Sequence, residues 1–295
     1  MQMRLPKVSI LVPSYNRSGL LKKALNSIFQ QTFTDFEVIV VDNCSTDDIG
    51  QLITSLDDCR LIYIRNDANI GAVNNYNKTL RLARGQYIYA FSDDDTMLDT
   101  DNLKIKVDIM DAHQSVGIVY SNYHIIDEQG EVIGENYFTN TPLLEKIIAN
   151  PLLKAKDAFS ILESGTNFVC MTSALLRGSV LKENHLEFNN QLRYLVDWNL
   201  WLHMSLFCDF YYVDKVLTGH RRHAQNESSL LKVEDCYNEQ LLAKIGLITL
   251  FKNTGKLAQT DVANVFKSIQ NPMSVKNTLI RNIKRVQNRL KRIVG

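Results

Sequence analysis

Residues 7–47 read KVSILVPSYNRSGLLKKALNSIFQQTFTDFEVIVVDNCSTD, and this stretch decides the fold. Short apolar runs cover 8–13 and 36–42, and an amphipathic segment of helical period, 18–31, lies between them. Strands that are apolar throughout and are joined by a helix-length crossover are typical of parallel neighbours in a sheet that is covered on both faces. The stretch therefore predicts the start of an α/β fold.

The same alternation continues to about residue 125 and then becomes less regular. Further strands are predicted at 60–65, 87–92 and 117–123, and further helices at 46–57, 71–84 and 101–114. The later part predicts a hairpin turn at 127–132, a loop over 135–155, a strand at 173–177, a helix at 197–207, a closing pair of strands at 209–213 and 216–222, and mainly helix from 232. We expect a Rossmann-like, mostly parallel sheet flanked by helices, with a C-terminal helical extension.

Composition and cysteine usage are those of a globular protein from a reducing compartment. Of 295 residues, 45% are apolar, which is enough to bury a sizeable core. The N-terminus does not resemble a secretory signal, and no apolar stretch approaches the ~20 residues that span a bilayer. The five cysteines are scattered and lack CxxC spacing. They favour a reduced, cytoplasmic protein and argue against a structural zinc site.

Charge is unevenly distributed along the chain. The formal net charge is +1, yet the first 261 residues carry 25 basic and 32 acidic groups, whereas residues 262–295 carry eight basic groups and no acid. In 274–295 apolar residues recur at spacings of three and four, which predicts a helix with one apolar and one basic face. Such a helix either lies on an anionic membrane or docks on the rest of the protein, and both interpretations stay open. Nucleic-acid binding is not expected, because no aromatic stacking residues accompany the basic ones.

Polar side chains follow four of the predicted strands at the point where each strand ends. They occupy 13–17, 42–47, 65–71 and 92–95. The carboxyl ends of the strands in an open parallel sheet share one edge, and ligands bind there. A purely structural sheet needs turns at these positions but does not need this concentration of Asp and Asn. The pattern therefore predicts a functional site at this edge.

Three consecutive carboxylates, Asp93, Asp94 and Asp95, follow a buried strand directly. Mg²⁺ and Mn²⁺ prefer such hard oxygen ligands, and they bind one or two carboxylates together with substrate phosphate oxygens. The structural alternative is that these acids cap the helix predicted to begin near residue 101. The chain has no GxGxxG and no GK[ST] motif, so a glycine-rich phosphate loop is not expected.

Three segments together resemble a known family: 7–47, NIGAVNNYN at 69–77 and GQYIYAFSDDD at 85–95. The chain resembles the family-2 glycosyltransferases, which are inverting enzymes of the GT-A fold that use nucleotide-diphospho-sugars. The resemblance implies a GT-A domain over 1–228, with a nucleotide-sugar half at about 1–125 and an acceptor half at about 126–228. A helical region, 229–295, with the basic tail would follow it.

The resemblance implies nucleotide-sugar-binding roles for the residues that match the motifs of the family. They are Pro13, Tyr15, Asn16, Arg17, Asp42, Asn43, Asn69, Gly71, Asn77, Asp93 and Arg222. Tyr15 would stack on the nucleotide base. Asn43 stands where the family usually has a second aspartate, and Tyr76 stands where it often has an arginine.

The resemblance also implies a metal site for Mn²⁺ or Mg²⁺ in the acidic run. Asp94 would bind the ion directly, Asp95 would assist, and His223 would reach the metal or the diphosphate. Ser92 stands at the first position of the common motif Asp-x-Asp-Asp, and a shift by one residue would move the roles along the run.

A catalytic base is implied by LVDWNLWLH at 195–203, in which Asp197 matches the family's aspartate. An inverting transfer needs the acceptor hydroxyl to lose its proton as it attacks. The structural alternative is that Asp197 caps the helix predicted there, and both roles are compatible. Val196 and His203 replace the usual glutamate and arginine. No role is expected for His113, His124, His185 or His220.

The implied function is transfer of a sugar from a UDP- or dTDP-sugar to a hydroxyl of a glycan or polyprenyl-linked acceptor, in the synthesis of a cell-surface polysaccharide. The implied location is the cytoplasmic face of the plasma membrane, with peripheral attachment through 274–295. Two alternatives stay open. One is a non-catalytic nucleotide-sugar-binding protein, and the other is a sugar nucleotidyltransferase, although the segment PSYNRSG after the first strand is not the Gly- and Lys-rich loop that the latter requires.

Overall fold

The computed structural model describes residues 5–136, 139–224, 226 and 233–254. The predicted basic tail at 274–295 and most of the predicted helical region 229–295 lie outside the described residues. The first elements alternate as the sequence predicts: β1 (Val8–Ser14), α1 (Ser18–Phe29), β2 (Phe36–Asp42), α2 (Ile49–Leu56), β3 (Leu61–Arg65), α3 (Ala72–Leu82) and β4 (Tyr87–Ala90).

The later elements are more varied in length. They are β5 (Thr96–Met97), α4 (Asn102–Ala112), β6 (Val116–Ile126), β7 (Val132–Glu135), α5 (Pro142–Ala149), β8 (Leu152–Leu153), α6 (Ala155–Glu163), β9 (Leu175–Arg177), α7 (Gly178–Glu183), α8 (Val196–Met204), β10 (Asp209–Arg221) and α9 (Val233–Thr254). The strand predicted at 173–177 and the helix predicted at 197–207 are confirmed as β9 and α8. Among the described residues, none of the helices is both long enough and apolar enough to cross a bilayer.

The strands form one sheet in the order β3-β2-β1-β4-β9-β6-β10-β5, with β7 paired to β6 and β8 paired to β10. Each pair among β3, β2, β1 and β4 is parallel, as the crossover helices predict. The short β9 runs antiparallel to both β4 and β6, so β6 points in the same direction as β4. β10 is parallel to β6. The predicted mostly parallel sheet is therefore confirmed: β1, β2, β3, β4, β6 and β10 run in one direction, and the short strands β5, β7, β8 and β9 run in the other.

The segment 135–155, which we expected to be a loop, contains α5 and β8, so that expectation is wrong. Pro142 is the first residue of α5, where proline is favourable because the N–H that it lacks would have no partner within the helix. The Thr141 hydroxyl accepts the Leu144 N–H at 3.2 Å and caps the same helix. The proline therefore begins the helix and does not interrupt it.

The expectation of two closing strands at 209–213 and 216–222 is also wrong, because a single strand, β10, covers both ranges. Its register against β6 shifts between Val213 and Val216, where the chain bulges but continues in the same direction. β10 can therefore run the full length of β6 and reach the carboxyl edge of the sheet.

Successive residues of β1 pack on opposite faces of the sheet, as the two-residue period of a strand requires. Ile10 lies in the core formed with α1 and α4, and Leu11 lies in the core formed with α6 and α8. Both side chains are fully buried. The apolar, non-alternating sequence of this strand is thus explained by helices on both faces.

The register of the strands brings their carboxyl ends together. Ser14 pairs with Asp42, and Asp42 pairs with Arg65 on the next strand. On the other side Leu11 pairs with Ala90, so the acidic run that follows β4 leaves the sheet beside the end of β1. The predicted gathering of polar residues at one edge of the sheet is confirmed.

Arg177, the last residue of β9, ties three elements together at the opposite edge. Its guanidinium donates to the carbonyl oxygens of Met110 (2.8 Å), His113 (3.0 Å) and Val116 (2.8 Å), at the end of α4 and the start of β6. It also lies 5.4 Å from the centre of the Tyr87 ring. Because the residue is buried, these carbonyls have little access to water as an alternative partner.

We predict that Arg177→Met lowers the free energy of unfolding by about 2–4 kcal/mol, because it leaves buried carbonyl oxygens without a donor. The measurement is urea denaturation, read as a lower midpoint at an unchanged slope. Arg81→Met is the matched control: its pair with Glu187 (2.9 Å) is exposed, and we expect a change below ~1 kcal/mol. Equal midpoints for the two variants would show that the Arg177 contacts do not stabilise the sheet.

Candidate active site

A cleft of about 730 Å³ opens at the carboxyl edge of the sheet. Most of the residues that the sequence predicts for the site line it: Pro13, Tyr15, Arg17, Asn43, Asn69, Gly71, Asp93, Asp94, Asp95, Asp197 and Arg222. Asn16, Asp42, Asn77 and His223 do not line it. The structure therefore brings residues from positions 13 to 222 to one cavity, and His223 lies outside the lining but contacts it through Asp94.

Two of the three consecutive carboxylates share one arginine. Asp93 accepts hydrogen bonds from the Ser14 hydroxyl (2.6 Å) and from Nη1 of Arg17 (3.1 Å). Asp94 Oδ2 lies 3.0 Å from the same Arg17 nitrogen and 2.9 Å from Nε2 of His223. Arg17 thus bridges two adjacent carboxylates that would otherwise repel each other.

The third carboxylate, Asp95, contacts β10. Its Oδ1 accepts the Arg221 N–H at 2.7 Å and lies 3.2 Å from Nδ1 of His220. The Arg221 side chain binds the same loop, because its Nε donates to the Asp94 carbonyl oxygen at 2.8 Å. The end of β10 therefore fixes the conformation of the acidic run.

The expectation that His220 has no place in the site is wrong, because this side chain contacts Asp95 and lines the cleft. A signal for it was present in the sequence. Residues two apart on a strand face the same side, so the predicted position of Arg222 in the site places His220 there as well. The other residue that we missed is Asn167, which lines the cleft beside Asp197.

The environment separates the pKa values of the acids. Burial raises the pKa of Asp93 to about 6, and the charge of Asp94 adds to this rise. Burial also disfavours the charge of Asp94, but the hydrogen bond with His223 and the charge of Arg17 outweigh it, so that its pKa lies below the ordinary value. Burial lowers the pKa of His220, yet the charge of Asp95 and those of other acids raise it above its usual value. The structure therefore favours the charged form of Asp94 and disfavours that of Asp93.

Asn43, which replaces the aspartate usual in the family, organises the loop before α3. Its Nδ2 donates to Asn69 Oδ1 at 2.8 Å, and its Oδ1 accepts the Ile70 N–H at 2.9 Å. Asn69 Oδ1 in turn accepts the N–H of Gly71, whose φ of +83° favours glycine. A carboxylate at position 43 could not donate to Asn69, so an amide is the residue that fits here.

Tyr76 and Ser92, two further departures from the family pattern, contact each other. The Tyr76 hydroxyl lies 3.3 Å from Ser92 Oγ. Where the family pattern combines an arginine and an aspartate, this chain has two neutral hydroxyl groups at hydrogen-bonding distance. Both residues line the cleft, so it has neutral hydroxyl groups at these two positions.

Asp42 supports the sheet and does not face the cleft. It is fully buried, and its Oδ2 accepts the Tyr63 hydroxyl (2.9 Å) and contacts Nη1 of Arg65 (2.7 Å). Its Oδ1 accepts the Ser45 N–H at 2.8 Å. The contact of Asp42 with the nucleotide stays a prediction; in this structure its oxygens join the ends of β2 and β3.

Asn77 and Asn16 also act within the scaffold. The Asn77 amide donates to the Phe188 carbonyl oxygen at 2.7 Å and accepts the Phe188 N–H at 2.9 Å, which holds Phe188 at the wall of the cleft. Asn16 Oδ1 accepts the Thr46 N–H at 2.7 Å and joins two loops at the strand ends. Asn77 therefore positions a residue that lines the cleft, whereas Asn16 and its partner Thr46 both lie outside the lining.

Asp197 lines the same cleft and lies in the first turn of α8. Its Oδ1 accepts the Trp198 N–H at 2.7 Å, and its Oδ2 accepts from Nδ2 of Asn167 at 3.1 Å. Burial raises the pKa of Asp197 above the ordinary aspartate value, and these hydrogen bonds only partly oppose the rise. A carboxylate with a raised pKa is a stronger base, which suits proton abstraction from a hydroxyl.

No group of three or more His, Cys, Asp or Glu side chains with the arrangement of a complete metal site occurs within the part of the chain that the structure describes. A divalent cation that also binds substrate phosphate needs only one or two protein carboxylates. The acidic run is therefore compatible with such a cation but does not form a closed metal cage.

Comparison with known proteins identifies the family. The model of glycosyl transferase family 2 matches residues 9–184, which is more than half of the chain. The chain belongs to glycosyl transferase family 2. The predicted resemblance is confirmed, and the family match gives no support to the nucleotidyltransferase alternative.

Curated relatives of this family cover different parts of the chain. The putative colanic acid biosynthesis glycosyl transferase WcaA of Escherichia coli K12 is 37% identical over 134 residues, 44% of this chain and 46% of that protein. The match thus spans about half the length of that relative. The UDP-Glc:alpha-D-GlcNAc-diphosphoundecaprenol beta-1,3-glucosyltransferase WfaP of Escherichia coli is 28% identical over 241 residues, 72% of this chain and 95% of that protein.

A solved structure shows the same fold. TarS of S. aureus, residues 1–349 in complex with UDP-GlcNAc, superposes with a TM-score of 0.69 at 21% identity and covers 90% of this chain and 72% of the TarS chain. This likeness confirms the predicted GT-A architecture of the family-2 chain.

We predict that Asp197→Asn keeps UDP affinity within about two-fold of wild type and lowers the rate of sugar transfer by roughly 10²-fold or more, the range for loss of a general base. The rate of the wild type should fall as the pH drops through the raised pKa of Asp197, since only the ionised carboxylate accepts a proton. This acid limb should disappear in the variant. The checks are calorimetry with UDP and the pH dependence of kcat/KM.

Thermal unfolding serves as the control for this variant. A buried carboxylate whose pKa is raised is destabilising while it is ionised, so the amide should leave the unfolding temperature at pH 7 unchanged or raise it. Turnover within a few-fold of wild type, in a protein that binds UDP normally, would assign the base to another residue.

Proposed function

We propose that this protein is an inverting, metal-assisted glycosyltransferase that moves a sugar from a UDP-sugar to a hydroxyl of a polyprenyl-diphosphate-linked glycan, in the assembly of a surface polysaccharide. One observation carries the proposal: the acidic run and the buried carboxylate Asp197 face the same cleft. A diphosphate leaving group and a proton acceptor are the two requirements of an inverting transfer. The residues for both are present in one cavity.

Each wall of the cleft has a distinct task in this reaction. Tyr15, which is 43% exposed at the edge of the cleft, offers a ring face to the base of the nucleotide. Arg17 and Arg222 place positive charge where the diphosphate would lie. Asp197 accepts the proton of the acceptor hydroxyl as that oxygen attacks the anomeric carbon from the face opposite the diphosphate.

The donor set fits a divalent cation that is completed by the substrate. Asp94 and His223, whose Oδ2 and Nε2 atoms lie 2.9 Å apart, would hold Mn²⁺ or Mg²⁺. Asp95, held by Arg221, would orient water around the ion. The ion would neutralise charge that develops on the departing UDP.

The acceptor class is proposed from a relative that aligns over almost its whole length. The name of WfaP gives a diphosphoundecaprenol-linked sugar as its acceptor and a UDP-sugar as its donor. The cleft of the present chain is also lined by Asn167, Tyr194 and Phe188. Aromatic and amide side chains of this kind are suited to sugar hydroxyls and ring faces.

Peripheral attachment to the cytoplasmic leaflet completes the proposal. A polyprenyl-linked acceptor is embedded in the membrane, so an enzyme that acts on it must approach the lipid surface. Residues 274–295 combine an apolar periodicity with a run of basic residues and contain no acid. Each basic residue near an anionic surface contributes about 1 kcal/mol to binding.

We predict that UDP binds more tightly with Mn²⁺ and that Asp94→Asn weakens this binding by about ten-fold or more, because the variant lacks the charged oxygen that would hold the ion. Isothermal calorimetry with UDP, with Mn²⁺ and then with EDTA, measures it. In EDTA the two proteins should differ much less.

Asp67→Asn is the matched control, since it makes the same chemical change at an exposed strand-end aspartate outside the cleft lining. It should bind UDP as the wild type does under both conditions. If Asp94→Asn and wild type bind UDP equally, and a chelator changes neither, the cation has no part in donor binding. Binding of UDP-sugars without transfer to any acceptor would instead favour the non-catalytic alternative.

A second prediction concerns the membrane. The full chain should co-sediment with anionic liposomes and much less with neutral ones, and added salt should release it because the attraction is electrostatic. A chain that ends at Asn271 should stay in the supernatant. Equal partitioning of the two chains would show that 274–295 is not a membrane anchor.

A further inference from the structure

Glu239 of α9 holds the backbone of the segment 193–195. Its Oε1 accepts the N–H of Arg193 at 2.8 Å, and its Oε2 accepts the N–H groups of Tyr194 at 2.9 Å and Leu195 at 2.8 Å. The residue is only 8% exposed, so water does not compete effectively for these donors. Consecutive N–H groups that converge on one anion form a compact and rigid arrangement.

The segment that Glu239 holds leads directly into the proposed base. Val196 is the first residue of α8, and Asp197 follows it. Arg193, Tyr194 and Leu195 also line the cleft. A displacement of this segment would therefore move both the carboxylate of Asp197 and one wall of the cavity.

The same helix contacts the segment that orients Asp197 from the other side. Lys244 Nζ lies 2.9 Å from Glu163 Oε1, and the Lys244 side chain is only 3% exposed. Gln240 packs on Gly165, where an added Cβ would lie 2.8 Å from its Nε2. Two residues further on, Asn167 donates its hydrogen bond to Asp197. α9 thus contacts both of the segments that fix the position of Asp197.

We propose that Glu239 is a positioning residue for sugar transfer, through which α9 fixes Asp197 at the acceptor side of the cleft. The proposal rests on the assignment of Asp197 as the base. An ionised carboxylate is required at position 239 because it offers acceptors to three N–H groups and no donor. A glutamine of the same shape would turn an NH₂ group toward at least one of these N–H groups. This would weaken the contact that holds the segment 193–195.

The affinity for UDP distinguishes a positioning role of Glu239 from a general loss of structure in the variant. The residues proposed to bind UDP follow β1 to β4 and the end of β10, and the hydrogen bonds of Glu239 in the described part of the chain go to none of them. Small displacements of a catalytic group can reduce rates by up to about 10²-fold. We therefore expect Glu239→Gln to lower kcat by about ten-fold or more and to leave the Kd for UDP within two-fold of wild type.

The experiment compares Glu239→Gln with Glu234→Gln, the same change at an exposed position on the same helix. The control should keep wild-type turnover and UDP affinity. A second measurement combines Glu239→Gln with Asp197→Asn. If Glu239 acts through Asp197, the double variant should transfer sugar no more slowly than Asp197→Asn alone, since residues that act as one unit are not additive.

Hydrogen exchange of the amides at 193–195 tests the contact independently of any reaction. Exchange at these amides should be faster in Glu239→Gln than in wild type and in the control, while exchange in β1 and β2 stays unchanged. This readout stays valid even if the proposed function fails. The proposal would be overturned by unchanged exchange at 193–195 or by an unchanged kcat. It would also be overturned if UDP affinity and kcat fell equally, or if the losses were additive in the double variant.

Discussion

The burial of three consecutive carboxylates at the end of β4 is the constraint on which the site depends. Charges removed from water are tolerated only with close partners. Here Arg17 comes from the loop after β1, His220 and Arg221 come from the end of β10, and His223 follows them. The acidic run can therefore form only when the first and the last strands of the sheet are both in place, which couples formation of the site to completion of the fold.

The topology of the sheet explains how segments so far apart in sequence reach each other. The reversed β9 separates β4 from β6 without changing the direction of β6. The parallel β10 therefore delivers its carboxyl end to the same edge as β1 to β4, and β5, just after the acidic run, pairs with it. The residues proposed to bind the nucleotide-sugar and the groups that stabilise them thus follow strands of one continuous sheet. The cleft can therefore form without two sheets having to come together.

Sequence patterns predicted the fold well where contacts are local and the site well where residues follow strands. The strands and crossover helices up to β4 could be predicted without knowledge of distant contacts, and so could the polar residues at the strand ends. The roles of Asp42 and Asn77 could not be predicted in this way, because their partners, Tyr63 with Arg65 and Phe188, depend on strand pairing and on a loop more than a hundred residues away. The bulge in β10 was predicted as a turn between two strands for the same reason. A polar interruption in an apolar strand resembles a turn as long as the partner strand is unknown.

The residues that depart from the family pattern have one physical feature in common. Tyr76 and Ser92 replace charged residues and contact each other, and Asn43 supplies a donor to Asn69 that an aspartate would lack. In both cases a neutral hydrogen bond takes the place of a charge, whereas Asp94 and Asp197 keep their charged groups in the cleft. An ion pair in a scaffold can be exchanged for a neutral pair if both partners change, because only their mutual geometry matters. A charge that must act on a diphosphate or accept a proton has no such substitute, so variation in the scaffold is compatible with the roles proposed for Asp94 and Asp197.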